Sequence, residues 1–509
     1  FNLSLAYWSP AGLETAAFAF SILLSVYLYL KKSWGLMAAL AAAVWLRPEG
    51  ALLAGLLVIV EVILKRQVPK YSLYCVLGAL VLSLPMVLFK LFYYGSILPN
   101  PFYAKTGFNT AQIFDGLEYA GRFLKHYGFY GAGFLAPLLF FKRLSAKIQT
   151  LWLLTVLYTV YIVLVGGDVL KVHRFFIPMV GPYGILITVT VFLMVNNLKN
   201  WLKYAVFIII SLGLMGLTYY LPHDFVHQYN TTEKLFTKKL AFQAQELKKS
   251  DQRNFSVAIS TIGIFGYELL GHDIIDMLGL TDTTIARHSE EPIAGMETTW
   301  KERKHNSRYL LERAPDYIMF STGVKPSAPA ERALLLYPQF LNAYRSLGWF
   351  YPGDRTDGKG VVVNTFKKVR PVEGEIIPTY PIAYVQYYKE GMDAYVRRDY
   401  RTAIQYFDRA LAVSPQPYNG NLVYSKANCH LMLGEHDTAR TLMNQLVEQD
   451  SLLYLPHKDL YMYDMVDGDT ARALIHRRWL EKLVPWYLPR IDTLVVRTVR
   501  LQEQPGRKL

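Results

Sequence analysis

Long apolar segments separated by short polar loops make up most of the first 221 residues, and this pattern constrains the fold more than any other feature. A transmembrane helix needs about 20 apolar residues, within a range of roughly 17–25. The pattern therefore predicts a polytopic α-helical membrane domain over residues 1–221 with about eight spans. The segments lie near residues 13–30, 34–46, 51–64, 71–92, 127–141, 148–165, 175–196 and 201–220.

The second and third segments are short, and they flank Arg47-Pro48-Glu49. Two interpretations stay open for them, either two short helices or one re-entrant hairpin. Irregular backbone at membrane depth is tolerated only where it is buried in protein or lines a wet cavity.

Composition excludes several classes of protein. Charged residues make up 18% of the chain, whereas a soluble domain averages about 25%, which argues against a disordered or purely soluble chain. Two cysteines exclude a disulfide scaffold and a CxxC metal site. Residues 1–221 hold 17 Lys and Arg against 6 Asp and Glu. Because this basic excess lies among apolar segments rather than on a soluble face, we expect no nucleic-acid partner.

The loop charges predict an orientation, because cytoplasmic loops are enriched in Lys and Arg. Alternate loops form a basic set and a mixed set, so the basic set is predicted to be cytoplasmic and the chain after residue 221 to lie outside. The basic set contains Lys31, Lys32, Lys65, Arg66, Lys70, Lys142, Arg143, Lys147, Lys199 and Lys203, and the mixed set Glu14, Arg47, Glu49, Lys90, Lys105, Asp115, Glu118, Arg122, Lys125, Asp168, Lys171 and Arg174. A bacterial cytoplasmic membrane is the expected location. Because the chain opens on the predicted outer side at Phe1 without a signal peptide, we expect a fragment that lacks upstream helices.

Residues 222–380 are expected to form an outer α/β domain. Strands are predicted at residues 256–260, 317–320 and 360–363, with a helix over Trp300 to Arg313.

Residues 381–509 are expected to form a tetratricopeptide-like helical region and a terminal strand at 493–499. Two repeat units are predicted, and they are expected to pack as a helical cap on the α/β domain. Their matching positions are Gly391, Ala403, Phe407, Ala410 and Pro415 in the first unit, and Ala427, Gly434 and Ala439 in the second.

Three polar clusters on the predicted outer side are candidates for a functional site. The first is Arg47 with Glu49, since an ion pair between apolar segments is expensive at membrane depth; the alternative is an ordinary turn with a solvated pair. The second is the loop at 93–105, whose aromatic rings and polar groups suit a sugar and a phosphate. Its candidate residues are Tyr93, Tyr94, Asn100, Tyr103 and Lys105. An interfacial belt of tyrosines is the alternative there.

The third cluster is the segment Gly166 to Arg174. Its two glycines allow a ligand to approach the backbone, and Asp168 is a candidate general base or sugar ligand. Lys171, His173 and Arg174 are expected to form a cationic patch for a phosphate; the alternative is a basic turn whose side chains extend to the membrane surface. Phosphate-loop, GxGxxG and HExxH signatures are absent from the sequence, so no cofactor is predicted, and a divalent metal stays open.

Taken in order, four motifs resemble integral-membrane glycosyltransferases of the GT-C class. They are most similar to the terminal arabinofuranosyltransferase branch of mycobacterial cell-wall enzymes and its bacterial relatives. The resemblance covers roughly residues 1–290 and includes Gly279-Leu280-Thr281-Asp282. The motifs are Ser-Pro-Ala-Gly-Leu-Glu (9–14), Leu-Arg-Pro-Glu-Gly (46–50), Tyr-Tyr-Gly-Ser-Ile-Leu-Pro-Asn-Pro-Phe-Tyr-Ala-Lys (93–105) and Gly-Gly-Asp with His-Arg-Phe-Phe-Ile-Pro (166–178).

The resemblance implies transfer of a sugar from a polyprenyl-phosphate donor to a glycan or protein acceptor on the outer face, with inversion. Such enzymes usually carry an acidic base in the first external loop, which would precede Phe1. On the predicted outer face, Asp168, Glu14 and Glu49 are the remaining candidate acids.

A second hypothesis is a non-enzymatic assembly or transport protein with the tetratricopeptide-like region as its docking surface for a protein partner. A transporter is expected to show inverted repeats and polar residues near the bilayer midplane. The sequence shows neither.

Overall fold

The computed structural model describes residues 2–105, 110–291, 293, 304–322, 325–351, 353, 361–414 and 419–502. The described chain is mostly helical and divides into two compact units. The N-terminal unit comprises Phe1–Leu98 and Gly107–Glu233, and the C-terminal unit comprises Pro99–Thr106 and Lys234–Leu509. The boundary expected after residue 221 falls inside one continuous helix, Asn200–Ser250.

All eight predicted apolar segments lie in helices. By length and composition, four described helices are able to cross a membrane, namely Lys70–Tyr94, Ala146–Leu164, Arg174–Val195 and Asn200–Ser250. The helices of this part of the chain are α1 (Leu3–Trp8), α2 (Thr15–Leu30), α3 (Leu36–Leu46), α4 (Glu49–Lys65), α5 (Lys70–Tyr94), α6 (Asn100–Lys105), α7 (Thr110–Tyr127), α8 (Phe129–Phe140), α9 (Ala146–Leu164), α10 (Ile177–Val195) and α11 (Asn200–Ser250).

Helices α3 and α4 form a tight hairpin that turns at Arg47 and Pro48. A Cβ atom added to Gly50 would lie 2.3 Å from the carbonyl carbon of Ala43, so this position requires glycine for the two helices to pack. Helix α3 has 11 residues, or about 17 Å at the rise of an α-helix. It is therefore shorter than the hydrocarbon core of a bilayer, which is about 30 Å thick.

Basic loops of the N-terminal unit meet at one end of these helices. Lys32, after α2, and Lys65, at the end of α4, both form ion pairs with Glu61, at 3.3 Å between Nζ and Oε1 for Lys32. The hydroxyl of Tyr71, in α5, donates to the carbonyl of Ser33 at 2.7 Å. Glu49, at the start of α4, lies at the end of α4 opposite to Lys65. The four helices α2 to α5 therefore alternate in direction.

The C-terminal unit contains a five-stranded mixed sheet in the order β2-β1-β3-β5-β4. Strand β1 pairs in parallel with β2 and β3, whereas β5 pairs antiparallel with β3 and β4. The strands are β1 (Ser256–Ile259), β2 (Asp273–Asp276), β3 (Tyr317–Met319), β4 (Tyr344–Tyr351) and β5 (Val361–Lys368), and the helices between them are α12 (Ile262–Glu268), α13 (Thr283–Arg287), α14 (Ser307–Arg313), α15 (Pro329–Leu334) and α16 (Pro338–Ala343).

The three predicted strands are present, and β2 and β4 were not predicted. Strand β2 has four residues with an aspartate at each end. Its two adjacent isoleucines do not alternate with polar residues, so the pattern does not indicate a strand. Of the helix predicted from Trp300, the structure shows Ser307–Arg313, and residues 300–303 lie outside the described residues. Gly360 and Pro415 also lie outside them.

Alternation along the central strands divides the core into two layers. Val257 and Ile259 face one layer while Ala258 faces the other, and the same period of two continues in β3. One layer is closed by Tyr384 and the helices after it, and the other by Ile491 near the end of the chain. The helical region therefore packs on the α/β domain, as the sequence predicted.

Seven helices follow the sheet, and six of them form three consecutive pairs within the described residues. Two repeat units were predicted, so the third pair is new. The helices are α17 (Ile382–Val396), α18 (Tyr400–Val413), α19 (Gly420–Met432), α20 (His436–Gln449), α21 (Tyr454–Val466), α22 (Thr470–Leu483) and α23 (Leu488–Gln502).

The predicted terminal strand at 493–499 is wrong, because this segment lies in α23. Ile491 and Val495 are each 1% exposed, whereas Leu494 and Val496 are each 47% exposed. Burial at positions four apart is the period of a helix, not of a strand.

Small residues and left-handed turns repeat through the three helix pairs. Ala403, Ala439 and Ala473 are fully buried at the same place in the second helix of each pair. The turn before that helix holds a left-handed residue each time, Arg398 (φ 67°) first and then a glycine. The third pair, with Gly468 at this turn, therefore repeats the geometry of the first two.

Helix α17 approaches α18 closely at Gly391. A Cβ atom there would lie 2.5 Å from Cε1 of Phe407, whose side chain is fully buried. We predict that Gly391→Ala destabilises this pair, because overpacking costs about 1–3 kcal/mol despite the better helix propensity of alanine. Gly263→Ala is the matched control, since a Cβ atom there meets nothing within 4 Å. Hydrogen exchange of α17 and α18 should accelerate in the first variant alone, and increased protection there would contradict the packing.

Two histidines lie in contact inside the third pair. The Nδ1 atoms of His457 and His476 are 2.9 Å apart, and Trp479 stacks on His457. Burial, helped by the neighbouring His476, lowers the pKa of His457 to about 4. An unfolded chain binds this proton near pH 6.5, so the contribution is complete above that pH and is lost as the pH falls towards 4.

We predict that the third pair loses about 3 kcal/mol of stability between pH 6.5 and 4 through His457. The measurement is hydrogen exchange of α21 and α22 in the full-length chain, corrected for the intrinsic effect of pH. His457→Gln should flatten this dependence, whereas His436→Gln, at an exposed position, should leave it unchanged. An equal pH dependence in all three proteins would refute the assignment.

Candidate functional site

Arg47 ends α3 in an extended conformation and is 8% exposed. Its Nη2 donates to Oε1 of Glu49 at 3.1 Å, and its Nε lies 3.5 Å from Oε1 of Glu14, the residue that precedes α2. The local sequence explains the placement, because Pro48 stops α3 and allows Glu49 to begin α4 beside the arginine. A buried guanidinium is therefore held by two carboxylates, as a low-dielectric environment requires.

The segment Gly166 to Arg174 reverses the chain between α9 and α10. Gly166 and Gly167 both have positive φ values, of 80° and 66°. A Cβ atom on Gly167 would lie 2.4 Å from Cγ of Tyr119. The Tyr119 hydroxyl in turn accepts a hydrogen bond from the backbone N–H of Phe175 at 3.2 Å. The paired glycines therefore position the backbone against a buried tyrosine, not against open solvent.

Asp168 and Arg174 form a bidentate pair across this segment. Nε and Nη2 of Arg174 donate to the two carboxylate oxygens at 2.6 and 3.0 Å. The aspartate is 6% exposed. Two parallel bonds to a carboxylate are the strongest arrangement that a guanidinium forms, so each residue fixes the orientation of the other.

Phe175 joins the first and third predicted clusters. Its ring centroid lies 5.1 Å from Cζ of Arg47 and 5.8 Å from Cζ of Arg174. Both distances fall within the range of cation–π contact. We call the group around this ring the arginine–carboxylate cluster; its members are Glu14, Arg47, Glu49, Asp168, Arg174 and Phe175.

Three carboxylates face two guanidiniums in this cluster, so it is not the open cationic patch that the sequence suggested. Glu14 has the most accessible carboxylate, since its side chain is 34% exposed, against 18% for Glu49 and 3% for Asp168. A ligand entering the cluster therefore meets Glu14 before the other acids.

His173 does not fit the phosphate-binding role expected for it. Its side chain is fully buried, in a left-handed conformation with φ of 53°, and its Nε2 lies 2.9 Å from Nδ1 of His126. Burial, together with the neighbouring His126, lowers the pKa of His173 to about 3. The imidazole is therefore neutral near pH 7 and supplies no positive charge to an anion.

Lys171 is exposed and forms no ion pair with any residue that the structure describes. It lies three positions before Arg174, on the same segment as Asp168. Its ammonium group is thus available to a ligand, unlike the two arginines.

The predicted loop at 93–105 is divided between the two units. Tyr93 and Tyr94 end α5 in the N-terminal unit, 71% and 67% exposed, with ring centroids 4.7 Å apart. Asn100, Tyr103 and Lys105 belong to α6 in the C-terminal unit.

Helix α6 packs against α13 within the C-terminal unit. The Asn100 amide donates to the Thr283 hydroxyl at 3.1 Å, and the Arg287 guanidinium lies 4.7 Å from the Tyr103 ring centroid. The side chain of Lys105 lies outside what the structure describes. Asn100 and Tyr103 therefore have protein partners of their own.

Sequence reasoning did not name Trp8 and Phe175, the two aromatic residues that lie beside the arginines. Trp8 donates from its indole N–H to the carbonyl of Val172 at 2.7 Å, and its ring centroid lies 5.8 Å from Cζ of Arg174. The sequence feature that could have indicated Phe175 is its position directly after Arg174. Among the described residues, no group of three or more His, Cys, Asp and Glu side chains is placed to hold a metal ion.

Comparison with known proteins identifies two segments of the C-terminal unit. Residues 397–452 match a tetratricopeptide repeat family, which confirms the repeat predicted for this region. Residues 228–366 match a family described as Domain of unknown function (DUF8728), and this span includes β1 to β4 and most of β5. No curated protein and no solved structure matches the chain. The protein is thus largely helical, with a tetratricopeptide repeat after a sheet domain of unassigned function.

Proposed function

We propose that the N-terminal unit is a membrane glycosyltransferase of the GT-C type. It would move a sugar from a polyprenyl-phosphate donor to a glycan or protein acceptor, with inversion. The observation that carries this proposal is the arginine–carboxylate cluster, because residues from four separate helix ends place acids and cations around one ring. Ionisable groups within apolar helical units are expensive and usually serve function.

The arrangement of charges supports a location in the bacterial cytoplasmic membrane. The basic loops around Glu61 lie at one end of α4 and the cluster at the other, twelve residues away or about 18 Å along the helix. With the basic end in the cytoplasm, as the positive-inside rule favours, the cluster faces outward. Four helices long enough to span a bilayer fit the same proposal.

The side-chain exposure of Glu14, Glu49 and Asp168 suggests a different role for each acid in the proposed reaction. Glu14 fits the general base, because its side chain is the most exposed and its contact with Arg47 is the longest, at 3.5 Å. Asp168 fits a positioning residue, since both its oxygens are engaged by Arg174. Glu49 holds Arg47 at the mouth of the hairpin.

The proposed step needs no added oxidant or cofactor. The acceptor hydroxyl oxygen forms a bond to the anomeric carbon while the bond from that carbon to the phosphate oxygen breaks. Glu14 takes the hydroxyl proton, and polyprenyl phosphate leaves with the electron pair. Lys171 would stabilise the charge that develops on the phosphate, an effect that is large in a dry site. Tyr93 and Tyr94 remain proposed sugar contacts.

We predict that Glu14→Gln lowers kcat by about 10²–10⁴-fold, the usual contribution of a general base, with little change in KM. The assay is transfer from a labelled polyprenyl-phosphate sugar by the full-length chain in lipid nanodiscs. Glu118→Gln is the matched control, because that side chain is 71% exposed in a surface ion pair. Glu14→Gln with wild-type kcat would remove the base assignment.

Arg174→Lys keeps the charge but loses the bidentate pair with Asp168. We predict a fall in activity of roughly tenfold or more, since an arginine at a bidentate site is not replaced by lysine. Asp168→Asn should fall similarly. If both variants transfer sugar as the wild type does, the cluster is not the site.

A second candidate function is a docking protein for membrane assembly or transport. The repeat match at residues 397–452 favours it, because tetratricopeptide repeats present extended binding surfaces. A partner whose binding needs this region, together with no transfer from any polyprenyl-phosphate sugar, would favour this function over the enzyme.

A further inference from the structure

A cavity of about 420 Å³ lies in the C-terminal unit between the sheet and the repeat helices. Pockets for small ligands range over roughly 300–1,000 Å³. One wall comes from α16, the start of β4 and the end of β5, and the other from α19, α20 and the turn after α20. The polar lining residues that the argument uses are Asn342, Arg345, Arg370, Asn421, Gln449 and Asp450.

All of the lining residues except Arg370 and Leu453 belong to two segments that match different families. Phe340 to Phe366 fall within residues 228–366, and Asn419 to Asp450 fall within residues 397–452. Neither family by itself contains the cavity, so it is a feature of their combination in this chain.

Two arginines in the lining share one carboxylate. Arg345 pairs through Nε with Asp450, and its Nη1 donates to the carbonyl of Leu341 at 2.6 Å. Arg370 lies 3.8 Å from the other oxygen of Asp450 and is half exposed. Nη2 of Arg345 forms no hydrogen bond with any described residue. The cavity therefore carries an excess of one positive charge and has guanidinium donors to spare.

The start of α19 adds to this positive character. Asn419, Gly420 and Asn421 line the cavity, and the Asn419 side chain accepts from the backbone N–H of Asn421 at 3.0 Å. The N-terminus of a 13-residue helix carries a partial positive charge. The last turn of α20 also lines the cavity and carries the opposite partial charge, so the net positive charge of the lining comes from the arginines.

Side-chain amides supply the remaining polar groups. Asn342, Asn421 and Gln449 line the cavity, and their amides form no hydrogen bond within the described part of the chain. Each amide offers two donors and an acceptor, which suits hydroxyl groups on a ligand.

We propose that this cavity binds a sugar that carries a carboxylate or phosphate group. The arginines and the start of α19 engage the anion, since a guanidinium pairs with either group through two bonds. The amides engage the sugar hydroxyls. The proposal does not rest on sugar transfer by the N-terminal unit.

The test is isothermal titration of the full-length chain with glucuronic acid, glucose 6-phosphate, glucose and inorganic phosphate. We expect at least one anionic sugar to bind about tenfold or more tightly than glucose. Arg370→Gln should weaken that binding by roughly tenfold or more, the loss expected for a charge-assisted hydrogen bond. Arg409→Gln, at an exposed position on α18 outside the cavity, is the control and should change nothing.

Asn421→Ala tests the contacts with the sugar hydroxyls separately from the contacts with the anionic group. It should weaken binding of the anionic sugar while leaving the weaker binding of inorganic phosphate unchanged. Preference for glucuronic acid assigns a carboxylate ligand, and preference for glucose 6-phosphate assigns a phosphate ligand. The proposal is overturned if glucose binds as tightly as both anionic sugars, if inorganic phosphate binds more tightly than either, or if Arg370→Gln has no effect.

Discussion

The burial of Arg47 among apolar helices is the constraint on which the N-terminal unit depends. A guanidinium that is 8% exposed must keep its charge and its hydrogen bonds, so Glu14 and Glu49 have to come to it. This requirement fixes the α3–α4 hairpin and the start of α2 at one end of the helices. Removing Glu49, the closer and less exposed partner at 3.1 Å, is expected to cost about 3–5 kcal/mol.

The same constraint divides the cluster into a rigid frame and an accessible edge. Arg174 is tied to Asp168 by two hydrogen bonds, and Phe175 places its ring beside both arginines. The more accessible groups, Glu14 and Lys171, stand at the edge of this rigid frame. In the function that we propose, the rigid frame holds the geometry and the edge residues meet the substrate.

Local patterns predicted much of the fold, whereas the pairing of distant charges could not be predicted. Each apolar run in the sequence predicted a helical segment of the N-terminal unit, and small residues at repeat spacing predicted the tetratricopeptide region. The strand predicted at 493–499 is wrong because the apolar residues there fit the period of a strand as well as that of a helix. Packing on the sheet is what buries Ile491 and Val495. Sequence also named Asp168, Arg47 and Arg174 and suggested the Arg47–Glu49 pair. It gave no sign that Asp168 pairs with Arg174, that Glu14 approaches Arg47 or that His173 is buried. The contacts of Glu14 with Arg47 and of His126 with His173 join segments far apart in the chain, which local patterns do not report.

The most direct measurement is photocrosslinking of the full-length chain with a polyprenyl-phosphate sugar analogue whose reactive group sits beside the phosphate. Mass spectrometry then maps the labelled peptides. Our account predicts labels in residues 166–176 and near Glu14 or Arg47, and their loss when unlabelled donor competes. Competed labels confined to the basic end around Lys32 and Lys65, or no competed label in the N-terminal unit, would contradict the account.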